Sequence, residues 1–144
     1  MIEPEIKVTF CYSGKVGKFV NLGDITKSLD LSPSKTRNLE QWPDAIKYPK
    51  SPLPEGVGTQ FTWDLSTGYE SCRAVEWRFN ELLLQFRGKE QIINELTRKY
   101  DLSIGFVVTI KGLAANLPEM SLTNEIVSFA ASINGSISFD MYVD

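Results

Sequence analysis

The chain has no histidine among its 144 residues. That absence removes Ser-His and Cys-His nucleophile pairs, the usual zinc and iron ligand sets, and the side chain that titrates nearest neutral pH. Cysteine is scarce as well. Cys11 and Cys72 are too few for a disulfide scaffold, and neither belongs to a C-x-x-C pair or a zinc spacing, so both read as reduced, small and partly buried. The longest nearly apolar run, IGFVVTI from Ile104 to Ile110, falls far short of the roughly 20 residues of a bilayer span. The opening MIEPEIKV lacks the basic-then-apolar layout of a signal peptide. A soluble, cytoplasmic protein with no membrane partner is the expectation. No basic stripe is visible and the formal net charge is −3, which argues against nucleic acid as a partner. No complete catalytic, metal or cofactor motif is spelled out, so no enzyme activity, no metal and no cofactor are expected.

What is present is the composition of a globular domain, with 42% apolar and 23% charged residues. One domain over residues 1–144 is expected. Alternation marks the strands. In EIKVTFCY, Ile6, Val8, Phe10 and Tyr12 share one face. Asp24 can cap a short helix carrying Ile25 and Leu29, with Pro33 beyond its end, and KTRNLEQW is a weaker strand. The prolines of DAIKYPKSPLPEG forbid regular structure and predict a long surface loop. QFTWDLS alternates again, with Phe61, Trp63 and Leu65 inward. Thr67 then stands three residues before Glu70, the spacing of a capping box, and predicts a helix carrying Val75, Phe79, Leu82, Leu83 and Phe86. A second segment repeats the pattern with Ile92, Ile93, Leu96 and Tyr100, with Glu95 and Lys99 paired on a solvated face. The last third reads strand, helix, strand. Ser121 or Thr123 caps the helix, Gly135 takes the left-handed position after it, and Ile137, Phe139, Met141 and Val143 are buried from the final strand.

This order predicts an α+β fold: a ferredoxin-like β-α-β-β-α-β core with an added C-terminal α-β unit, one sheet with helices on one face. The two C-terminal strands should run parallel, because a helix joins them. The opposite face is then open. It would display Lys7, Thr9 and Cys11; Thr62, Asp64 and Ser66; Val107, Thr109 and Lys111; and Ser136, Ser138, Asp140 and Tyr142. With so few aromatic rings it is unsuited to stacking RNA bases.

The chemical candidates have competing readings. Cys72 beside Arg73 near a helix start could be an activated thiol, but no partner base accompanies it and a packed thiol is favoured. Glu70 and Glu76 lie six apart on diverging helix faces, so a cap and a solvated carboxylate are favoured over an acid/base pair. Gly14 and Gly17 lack phosphate-loop spacing and read as a turn. Trp42 and Tyr48 sit in the proline-rich loop with Glu40, Asp44 and Glu55. That mix suits a protein interface, while folding of both rings over the sheet edge is an equal reading.

The segments VTFCYSG, DITKSLDLSPSKT, WDLSTGYES, RKYDLSIGFVVTI and SLTNEIVSFAASINGSISFDMYV together resemble the bacterial domain of unknown function 4279 family across nearly the whole chain. The chain departs from that pattern mainly in the loop from Trp42 to Gly58. The resemblance implies an intracellular bacterial protein with no established catalytic residues, similar to domains found among small immunity proteins beside toxin genes. The expected function is non-enzymatic: an immunity protein that binds a cognate toxin through Glu40, Trp42, Asp44, Tyr48 and Glu55. The alternative is a small-molecule sensing or binding domain using Asp64, Thr109, Asp140 and Tyr142 on the open face. An exposed sheet edge is also a site for a homodimer.

Overall fold

A computed structural model of the protein describes residues 2–15, 17–38 and 61–144. Its centre is strand β1 (Glu5–Ser13), whose alternating Ile6, Val8, Phe10 and Tyr12 are all buried on one face. The remaining strands are β2 (Lys35–Arg37), β3 (Thr62–Ser66), β4 (Glu70–Ser71), β5 (Ser103–Gly112) and β6 (Ser136–Val143). They form one mixed six-stranded sheet in the order β2-β3-β1-β5-β6, with β4 also pairing with β1. The neighbours of β1 are antiparallel to it, whereas β6 runs parallel to β5 as the connecting helix requires. Phe10 is an aromatic hub, edge-on to Tyr12, Trp63 and Phe106 and tilted against Phe86 at 4.5 Å between centroids.

Among the described residues four helices supply the other half of the core: α1 (Leu22–Leu29), α2 (Val75–Phe86), α3 (Glu90–Tyr100) and α4 (Asn124–Ser132). Their buried positions include Ile25 and Leu29, then Val75, Phe79, Leu82 and Phe86, then Ile93 and Leu96, then Ile126 and Ala130. The caps differ in part from expectation. Asn21, not Asp24, caps α1 by accepting from the Asp24 amide at 3.1 Å. This frees the Asp24 carboxylate to tie α1 to α3, accepting from Lys99 Nζ at 2.8 Å and from the Tyr100 hydroxyl. Lys99 therefore faces Asp24, and Glu95 instead accepts from Gln91 at 3.2 Å. Thr123 caps α4 as expected. Beyond α4 the left-handed residue is Asn134 (φ 53°), not Gly135. Gly135 serves a different need: a Cβ there would stand 3.2 Å from both Ile104 and Phe106 side chains.

The largest departure concerns β6. Ile137 packs against the core, but Phe139, Met141 and Val143 remain 43%, 40% and 38% exposed. The reason is length. A helix of nine residues spans about 13 Å, while a strand of eight spans about 26 Å. Helix α4 therefore shelters only one end of the strand.

The capping box expected at Thr67–Glu70 is also replaced by something else. Helix α2 begins at Val75 with Ala74 as its cap residue and no side-chain cap. Strand β5 occupies one edge of β1, so β3 and β4 must share the other. Ser66 pairs with Thr9 and Glu70 with Ile6, so three residues, Thr67, Gly68 and Tyr69, stand opposite two. WDLSTGYES is thus one strand interrupted by a β-bulge with Gly68 at φ +73°. Thr67 Oγ1 accepts from the Val8 amide at 3.1 Å and donates to Gly68 O at 2.9 Å, so it is unavailable to a helix.

The carbonyls that the bulge turns out of the ladder are collected by Arg78, a buried arginine on α2 (2% exposed). Its Nε donates to Ile6 O at 3.1 Å. Its Nη2 donates to Gly68 O at 2.7 Å and Thr67 O at 3.3 Å. Its Nη1 donates to Glu70 at 3.0 Å and to Glu81. This uses the whole five-donor fork of the guanidinium.

Arg78→Met should lower the unfolding free energy by about 3 kcal/mol, because several carbonyls lose their donor. Arg78→Lys should recover little of that, since an ammonium cannot span the fork; urea midpoints at unchanged m-value are the measurement. The Asp24 carboxyl is held down to about 2, first by the hydrogen bonds from Lys99 and Tyr100. A depressed carboxyl stabilises the fold above its ordinary value of about 4. That contribution disappears as pH falls through about 2. Asp24→Asn should therefore lower the melting temperature at neutral pH and show a shallower acid decline than the parent protein.

Candidate functional site

The bulge decides which side chains reach the open face of the sheet. Side chains alternate along a strand, so one extra residue reverses the facing of everything after it. Without it, Tyr69 would follow Trp63 and Leu65 into the core. With it, Glu70 stands beside Ile6 on the helix side and meets Arg78, and Tyr69 emerges on the open face. There its ring is in contact with two ammonium groups, with Lys7 Nζ 4.6 Å and Lys111 Nζ 4.1 Å from the centroid.

The strand register assembles the rest in two rows. Lys7 pairs with Thr109, which pairs with Asp140; Glu5 pairs with Lys111, which pairs with Tyr142. Tyr142 joins the rows by donating from its hydroxyl to Asp140 Oδ2 at 3.0 Å. That hydrogen bond, with the Asp140 charge, pushes the Tyr142 phenol above its ordinary value. Thr109 is buried at the base of the cluster, while Tyr142 is 57% exposed. Alongside runs a groove of ≈ 670 Å³ at the ends of β1, β5 and β6, lined by Ile2, Glu5, Lys111, Met141, Tyr142 and Val143 among others. The arrangement is a wet, mixed-charge surface with two aromatic rings, suited to recognition. Among the described residues, no group of three His, Cys, Asp or Glu is placed to hold a metal.

Of the open-face residues expected from alternation, Thr109, Asp140 and Tyr142 are therefore brought together. Asp64 is not. It pairs with Cys11, whose row continues to Gly105 and then Ser136, two rows along the sheet from Lys7 and three strands across from Asp140. Burial holds the Asp64 carboxyl above its usual range, opposed by Cys11 and Lys35. Burial, reinforced by the Asp64 charge, pushes the Cys11 thiol up to about 12, so it stays protonated and unreactive at neutral pH. The other thiol, Cys72, is half-buried three residues before α2 and donates to Ala74 O at 3.3 Å. Its neighbour Arg73 is turned toward Glu3 and Asn116. Glu70 is committed to Arg78, so it forms no acid/base pair with Glu76.

The loop residues Glu40, Trp42, Asp44, Tyr48 and Glu55 lie outside the described residues. Tyr69 was missed by sequence reasoning, because its facing depends on the bulge. Trp77 was missed too: it is 58% exposed on the outer side of α2, one heptad from the equally exposed Leu84. A tryptophan off the 75-79-82-86 stripe of α2 is the signal that could have found it.

Comparison with known proteins gives a single result. A family model described as a domain of unknown function, DUF4279, matches residues 4–144. No curated protein and no solved structure was found to match. Among the described residues, no helix is long and apolar enough to cross a membrane.

The Cys11–Asp64 pair yields a prediction. Iodoacetamide at about pH 8, near the ordinary thiol pKa, should leave Cys11 unmodified in the folded protein over a time that alkylates an unfolded control. Asp64→Asn should speed that reaction by removing the charge that helps hold the thiol neutral, as read by mass spectrometry of the Cys11 peptide.

Proposed function

This chain belongs to the DUF4279 family, and we propose that it acts by binding another protein rather than by catalysis. The observation that carries the reading is the solvent-facing cluster in which the Tyr69 ring meets both Lys7 and Lys111, beside the Tyr142–Asp140 pair. Rigid aromatic rings flanked by charges are the side chains that concentrate binding energy in protein interfaces. In its most concrete form the partner is a cognate bacterial toxin, and the chain is an immunity protein that neutralises it by occupancy. The absence of histidine and the small net negative charge support that form. The acidic and aromatic loop residues Glu40, Trp42, Asp44, Tyr48 and Glu55, which lie outside the described residues, are proposed as partner contacts on their chemistry alone.

A second reading is favoured by the groove of ≈ 670 Å³ beside the cluster, which is large enough for a small molecule. A ligand bound there would use Lys111 and Tyr142 of its lining, with Asp140 reached only through the Tyr142 hydroxyl, and its binding to the folded state alone would raise the melting temperature.

The two readings separate by experiment. The protein is expressed with the product of the neighbouring reading frame, and the affinity of the complex is measured. Tyr69→Ala and Tyr142→Ala should each weaken the complex tenfold or more, about 1.4 kcal/mol, with unchanged melting temperature, whereas Trp77→Ala on the helix side should not. A tenfold loss only in Trp77→Ala would move the interface to the helices. Absence of any co-purifying partner, together with a metabolite-induced rise in melting temperature, would replace the first reading with the second.

A further inference from the structure

The two ends of the strand order β2-β3-β1-β5-β6 are built differently. Edge β2 has only three residues and carries Lys35 and Arg37, the short and charged design that discourages another strand from pairing. Edge β6 has eight residues, SISFDMYV, with no lysine, arginine or proline and a continuous register along β5. Among the described residues no strand pairs with its outer side. It also carries the stripe of Phe139, Met141 and Val143 that α4 is too short to cover.

We propose that this edge is completed by a second copy of the chain, β6 pairing antiparallel with β6 about a two-fold axis at Met141. The occupant and register follow from self-complementarity. In a continuous sheet with both core faces on the same side, opposed residues must share a face, so the axis passes through a residue. An axis at Asp140 sets two carboxylates directly opposite each other, which is repulsive. An axis at Phe139 pairs the exposed half of each strand with the end containing Ile137, which α4 already shelters. An axis at Met141 opposes Phe139 to the partner's Val143 and Met141 to the partner's Met141, joining the exposed apolar residues with one another. On the other face it opposes Asp140 to the partner's Tyr142, a neutral phenol in place of a second carboxylate. The antiparallel operation sends the two copies of α4 to opposite ends of the pair, so they do not collide.

The consequence reaches the candidate site. The row Lys7–Thr109–Asp140 continues across the axis into the partner's Tyr142 and the partner's Lys111. The two open-face clusters then become one surface, with residues of both copies in each row. This extends the binding reading above but does not depend on it, since its test reads association alone.

Sedimentation velocity over a concentration series should show a reversible dimer, and Met141→Lys should raise its dissociation constant at least tenfold without changing the melting temperature measured at concentrations where the parent protein is also monomeric. Met141→Cys, mildly oxidised, should give a disulfide-linked dimer in high yield. Phe139→Cys should not, and neither should the parent protein, which carries Cys11 and Cys72 as internal controls. Cross-linking through Phe139→Cys but not Met141→Cys would overturn the register. A monomer at every concentration with no cross-link at either site would overturn the proposal.

Discussion

The guanidinium of Arg78 is the constraint on which the arrangement of this domain turns. It is buried, and its donors reach β1, both exposed carbonyls of the bulge, the strand after the bulge and its own helix. A buried cation is costly unless every donor is satisfied, and here the carboxylates of Glu70 and Glu81 take one amine while Ile6 O and the two bulge carbonyls take the remaining donors. The bulge and the arginine therefore presuppose each other. The bulge without Arg78 would leave carbonyls unpaired under a helix, and Arg78 without the bulge would find too few acceptors.

The chemistry of the surface follows from that partnership. Because the extra residue reverses the facing of the strand, it sends Glu70 toward the arginine and Tyr69 toward the lysines of the opposite face. An internal requirement and an external display are thus fixed by the same residue insertion. Nearby Asp64 and Cys11 share the face but not this role, since partial burial leaves their environment closer to a protein interior than to a binding surface.

Much of the fold was legible in the sequence because period-two alternation reports directly on strands. β1, β3 and β5 carry their apolar residues where alternation put them, and Thr123 caps the helix it was expected to cap. Three features were not legible, each for a physical reason. Thr67 and Glu70 have valid capping spacing, but the Thr67 hydroxyl is claimed by Val8 from a distant strand, and tertiary pairing overrides local propensity. Nothing local in the sequence marks Arg78 as buried, because its backbone acceptors lie on β1 and in the bulge. The exposure of Phe139, Met141 and Val143 was hidden because alternation tells which face a side chain takes, not whether another element is long enough to cover it. For the same reasons the site was half visible: Thr109, Asp140 and Tyr142 follow from alternation, and Tyr69 does not.

The bulge also sets what kind of change the segment Thr67–Tyr69 can absorb. Its facing is an odd-or-even matter, decided by how many residues stand opposite Lys7 and Val8. Replacing Ser66 or Tyr69 alters a side chain and leaves the count intact. Removing or adding one residue exchanges the inside and outside of everything up to Cys72, and carries a carboxylate off the arginine in the same step. Spacing, more than chemical identity, is the information this stretch of sequence holds.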